Sequence, residues 1–95
     1  MIQVDLNILF SFRKSLNDKG RISIEVPEGA TVEEILAEAA ERFPEFEGKV
    51  LGESGEIRRF IQIRLNKKNI ERIDGLKTRL NAGDEIQILP KLGGG

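Results

Sequence analysis

Cysteine and histidine are both absent from the 95-residue sequence, as are tryptophan and tyrosine. Without cysteine there are no disulfides, thiol nucleophiles or thiolate metal ligands; without histidine, the commonest general base and the commonest metal ligand are missing too. Most enzyme chemistry is closed to such a chain, and no metal site is expected. No apolar run approaches the roughly 18 to 20 residues that span a bilayer. The amino-terminal residues lack the charged-then-apolar pattern of a secretory signal, so a cytoplasmic location is expected. A charge excess is also lacking. Fifteen basic residues stand against sixteen acidic ones, a net −1, so no bulk attraction to nucleic acid or to a membrane surface is expected, although a local basic patch remains open.

What is present describes one small folded domain. Hydrophobic residues make up 39% of the chain and charged residues 33%, too apolar a mixture for a disordered segment. At this length folding removes roughly 60–70% of the unfolded chain's surface from water, enough for one modest core. The organising stretch is the last one, Pro90-Lys91-Leu92-Gly93-Gly94-Gly95. A strand-like run stops at Pro90, and three glycines follow that have no side chain to bury and much backbone freedom to lose on ordering. The plainer reading of this stretch is a mobile, inert tail. The sharper one is a thin terminus that threads a narrow channel and presents its carboxylate inside a partner's active site.

Along the chain, Ile2, Val4, Leu6 and Ile8 alternate with polar residues and predict a first strand reaching about Phe10. Turn formers gather over Ser15 to Gly20, and Ile22, Ile24 and Val26 alternate again as the second strand of a hairpin. After Pro27-Glu28-Gly29-Ala30, Thr31 and Glu34 have the spacing of a capping box. Val32, Ile35, Leu36, Ala39, Ala40 and Phe43 then recur at helical spacing, a core-facing stripe on a helix of about twelve residues that Pro44 ends. Residues 45–56 read as a loop with at most a helical turn near Val50 and Leu51. Ile61, Ile63 and Leu65 mark a third strand, Asn66-Lys67-Lys68-Asn69 a turn into a short strand over Ile70 to Ile73, and Ile86 and Ile88 a last strand.

Strand, strand, helix, strand, strand, strand is an α+β order, the β-grasp or ubiquitin-like arrangement of a mixed sheet curled around one main helix. Its first and last strands are expected to be parallel neighbours. The expected division is a domain over residues 1–90 and a tail over 91–95. Pro27-Glu28-Gly29-Ala30-Thr31-Val32, the Glu41-Arg42-Phe43-Pro44 helix exit, Leu65-Asn66, Gly83-Asp84-Glu85 and the Gly94-Gly95 end together resemble the MoaD-type small subunit of molybdopterin synthase, a ubiquitin-like sulfur-carrier family. Two departures stand out. Lys91 and Gly93 replace the family's usual second proline and alanine, and Asn66-Lys67 replaces its usual Asn-Gly turn.

The resemblance implies a carrier that is not an enzyme by itself and binds no cofactor. Its terminal carboxylate, on Gly95, is expected to be adenylated by a ubiquitin-activating-type (MoeB-like) enzyme that uses ATP. A sulfur donor then converts it to a thiocarboxylate, which a large, MoaE-like synthase subunit accepts for molybdenum or tungsten cofactor synthesis. Gly93 and Gly94 would let the tail pass a narrow channel. Sulfur carriage for thiamine synthesis or tRNA thiolation, attachment to lysines as a modifier, and a plain interaction domain share much of this pattern. For partner binding, strand alternation puts Phe60 and Leu89 on the sheet face away from the helix, with Leu9 beside them and Leu92 just beyond. Arg58, Arg59, Arg64, Lys67, Lys68 and Arg72 form a basic grouping that is either solvated or steers a partner.

Overall fold

A computed structural model of the chain describes residues 1–9 and 20–91. Five strands form one sheet: β1 (Ile2–Ile8), β2 (Arg21–Val26), β3 (Ile61–Leu65), β4 (Lys68–Asn69) and β5 (Glu85–Pro90), in spatial order β2-β1-β5-β3-β4. The alternating apolar residues seen in the sequence all face one way: Val4, Leu6, Ile8, Ile24, Val26, Ile61, Ile63, Leu65, Ile86 and Ile88 are buried in one continuous core. Removing each such side chain from water favours the fold by about 1.5–3 kcal/mol before the entropy of ordering it is counted. β1 pairs antiparallel with β2 and parallel with β5, while β3 pairs antiparallel with β5. The ubiquitin-like α+β architecture is thus the expected one, with the first and last strands parallel neighbours.

Helix α1 (Val32–Arg42) begins where the sequence places it, because the Thr31 hydroxyl accepts the Glu34 backbone N–H at 3.3 Å. Val32, Ile35, Leu36, Ala39 and Ala40 turn inward, and Glu33, Glu34 and Glu41 stay exposed. The turn that delivers the chain to it needs Gly29, whose φ of +84° would strain any side chain.

Two expectations are corrected. Pro44 does not lead into a loop; it opens a second helix, α2 (Pro44–Val50), which fully buries Phe46 and Val50. Proline's fixed φ and missing N–H forbid continuation of α1 yet suit the first position of a new helix, so one residue does both. Likewise, Ile70 to Ile73 is not a strand. β4 is only Lys68–Asn69, after which Ile70–Arg72 forms a 3-10 turn because the Asn69 side-chain oxygen accepts the Glu71 N–H at 2.9 Å. A further 3-10 turn, Gly75–Lys77, packs against α1. The expected end of the first strand at Phe10 and the Ser15 to Lys19 part of the predicted loop lie outside the described residues; β1 ends at Ile8.

Candidate functional site

The last strand to be made in the chain is the middle strand of the sheet, and this places the tail. β5 enters between β1 and β3, runs parallel to β1, and ends where β1 ends and β3 begins. Its final pairings are Leu89 with Gln62, Pro90 with Ile61, and a hydrogen bond from the Lys91 N–H to the Phe60 carbonyl at 2.8 Å. In an antiparallel ladder alternate residues address the same neighbour, so with Lys91 bonded to β3 the Pro90 nitrogen is turned to the β1 side. There the parallel ladder closes with Leu9 N–H to Ile88 C=O at 2.9 Å. Pro90 stands where that ladder would next need a donor, and has none. The sheet therefore ends around the root of the tail for a covalent reason.

The other end of β5 is tied down. Asp84 is buried, and its carboxylate accepts the Asn81 N–H at 2.7 Å and the Asn66 side-chain amide at 3.0 Å. The Asn66 side chain in turn accepts the Glu85 N–H at 2.9 Å, and Asp5 N–H bonds the Asp84 carbonyl at 3.0 Å. Asn66 and Lys67, at φ +50° and +72°, form the left-handed two-residue turn that joins β3 to β4. Leu65-Asn66 and Gly83-Asp84-Glu85, separate motifs along the sequence, form one hydrogen-bonded unit in the fold.

Of the expected site residues, Leu92, Gly93, Gly94 and Gly95 lie outside the described residues. Leu9, Leu89 and Gln62 fall in one row across the outer face, with Phe60 and Lys91 in the next row toward the tail. Phe60 is 52% exposed and Leu9 half-buried. Leu89 takes the outer face that alternation gives it, but it is not an accessible contact among the described residues: it is 4% exposed, though outside the continuous core.

The basic grouping divides. Lys67 and Lys68 sit at the hairpin tip, away from the tail. Arg58 and Arg59 instead meet Lys91 around a shallow groove of about 250 Å³ beside the tail root, with Ile57, Ile61, Ile63 and Ile70 also lining it. Lys91's part in this grouping was not anticipated; the register that puts it opposite Phe60 needs the β3–β5 pairing, which no local pattern shows. Charge is also divided along the chain. Residues 25–56 carry ten acidic and two basic side chains, a net −8, and residues 57–91 nine basic and four acidic, a net +5. Among the described residues these two stretches join in one ion pair, Lys77 to Glu33 at 3.6 Å. No group of acidic side chains among the described residues could hold a metal ion, and no helix among them is long and apolar enough to cross a membrane.

The sequence matches the model of the ThiS family over residues 9–95. It is 32% identical over 78 residues to an Archaeoglobus fulgidus protein named as a sulfur carrier, a match covering 82% of this chain and 88% of that one. The fold superposes on small archaeal modifier protein 1 from Methanosarcina acetivorans with a TM-score of 0.83 at 25% identity, covering 100% of this chain and 98% of that one. It also superposes on a chain of the BexX/CysO complex from Amycolatopsis orientalis, with a TM-score of 0.73 at 29% identity and coverage of 97% and 99%. The chain belongs to the ThiS family, among the ubiquitin-like sulfur carriers.

Proposed function

We propose that this chain carries sulfur as a thiocarboxylate on Gly95, donated in molybdopterin synthesis. The observation that carries the reading is the construction of the tail root. Pro90 ends one ladder, Lys91 makes the last described bond of the other, and Leu92-Gly93-Gly94-Gly95 follow with no bulky side chain after Leu92. Four extended residues reach at most about 14 Å. That length suits a carboxylate delivered into a partner's active site while the sheet stays outside.

A carboxylate is a poor acyl donor. Attack of its oxygen on the α-phosphorus of ATP, in the partner's site, releases pyrophosphate and leaves an acyl-adenylate. Attack of a hydrosulfide-equivalent donor on the acyl carbon expels AMP, which takes one carboxylate oxygen with it, and sulfur occupies that place. This chain contributes an unhindered acyl carbon, and Gly94 lets partner backbone approach closely. ATP belongs to the adenylating, MoeB-like partner. The acceptor in this reading is a MoaE-like large subunit holding a pterin precursor, favoured by the MoaD-type motifs in the sequence.

Intact mass after incubation with ATP, a sulfide source and a MoeB-type activating enzyme tests the reading: conversion raises the mass by about 16 Da. An unchanged mass under conditions that adenylate an established carrier removes it. A second reading, attachment of the activated tail to protein lysines, is supported by the likeness to a small archaeal modifier protein. It predicts conjugates about 10.7 kDa heavier than their targets.

A further inference from the structure

The groove between the start of β3 and the 3-10 turn at Ile70–Arg72 joins two chemistries. Its floor is apolar: Ile61, Ile63 and Ile70 are buried beneath it and Ile57 is half-buried. Its rim carries Arg58, Arg59 and Lys91 against a single acid, Glu71, with Gln62 and Asn69 completing the wall. Arg58 is held in place by its Nε–H, which donates to the Gly48 carbonyl at 2.9 Å. Neither Arg59 nor Lys91 forms an ion pair among the described residues.

Three cations gathered beside an apolar floor repel one another and favour an anionic neighbour that also buries apolar surface. Lys91 belongs to this rim and to the root of the tail at once, so whatever engages the tail meets the groove at its entrance. We infer that this groove docks an acidic segment with one apolar side chain, supplied by the protein that receives the tail: the apolar group lies over Ile61 and Ile70 while its carboxylates meet Arg59 and Lys91. Naming the supplier rests on the carrier reading; the groove's chemistry does not. The hairpin-tip cations Lys67 and Lys68 do not line this groove, which makes them an internal control.

A short synthetic peptide with one leucine flanked by glutamates, titrated into the labelled protein at low salt, tests this by amide chemical shifts. Shifts concentrated at Arg58, Arg59, Gln62, Glu71 and Lys91 are expected. The double change Arg59→Glu and Lys91→Glu, at exposed positions, should weaken binding at least about tenfold while the remaining amide spectrum stays dispersed, and Lys67→Glu should not. Shifts spread evenly over Lys67, Lys68 and Lys77, equal binding of inorganic phosphate, or no shift at all would each overturn the inference. Because the readout involves no sulfur, its failure leaves the mass test of Gly95 standing; a bound peptide with an unsulfurated tail would reject the carrier reading and keep the groove.

Discussion

At its start β5 is held by the Asp84 carboxylate, the Asn66 side chain and the Asp5 amide; at its end, Pro90 offers no donor and Lys91 makes the last described ladder bond. The first arrangement fixes the register of three strands with polar groups that are mutually satisfied. The second stops the pairing at the tail root. Stability and delivery are thereby assigned to opposite ends of one strand, and substitutions should separate them.

The largest expected effect is at the delivery end. Deleting Gly95 withdraws the carboxylate by about 3.5 Å of chain, and misplacement by even about 1 Å can cost a hundredfold in rate. Thiocarboxylate formation, read by intact mass, should fall more than about a hundredfold, as it should for Gly94→Val, with Tm unchanged in both. A deletion variant sulfurated as readily as the parent would collapse the contrast. At the holding end the pattern should invert. Asp84→Ala strands the Asn81 N–H and loosens Asn66, costing about 2 kcal/mol and lowering Tm by roughly 10 °C, while sulfur loading measured well below Tm stays near the parental rate.

Smaller changes sharpen the division. Lys67 holds a left-handed φ of +72° that glycine adopts without strain, so Lys67→Gly should raise stability by up to about 1 kcal/mol in denaturant unfolding, with no effect on loading. Last, Gly93→Ala should alter neither Tm nor loading measurably, because alanine at this point of the tail adds only one methyl group. A large loading defect there would show that the channel is narrow at Gly93 as well as at Gly94.

The strands and α1 were legible because each buries one face, and burial writes a period of two or of 3.6 into the sequence. α2 was not, because its seven residues bury only Phe46 and Val50 and proline reads locally as a stop. Ile70 looked like the start of a strand; only the Asn69 side chain, competing for the Glu71 N–H, makes it a 3-10 turn. Leu89 shows another limit: alternation states which face a residue takes and is silent on whether that face is covered. Phe60 beside Lys91, and Asn66 bonded to Asp84, depend on which strands become neighbours. That is a property of topology and has no short-range signature.

The net charge of −1 conceals opposed stretches, −8 over residues 25–56 and +5 over residues 57–91, with +2 over residues 1–24, and in solution the concealment has a measurable consequence. Uniformly charged molecules repel at low ionic strength and lose that repulsion as salt is added. Here the monopole is almost nil, so the leading long-range term between two copies is orientational, the acidic stretch 25–56 of one toward the basic stretch 57–91 of the other. It acts over roughly 30 Å at 0.01 M salt and about 10 Å at 0.1 M. The second virial coefficient from light scattering should accordingly be negative in dilute buffer and rise with added salt, the reverse of the trend for a molecule whose charge is all of one sign.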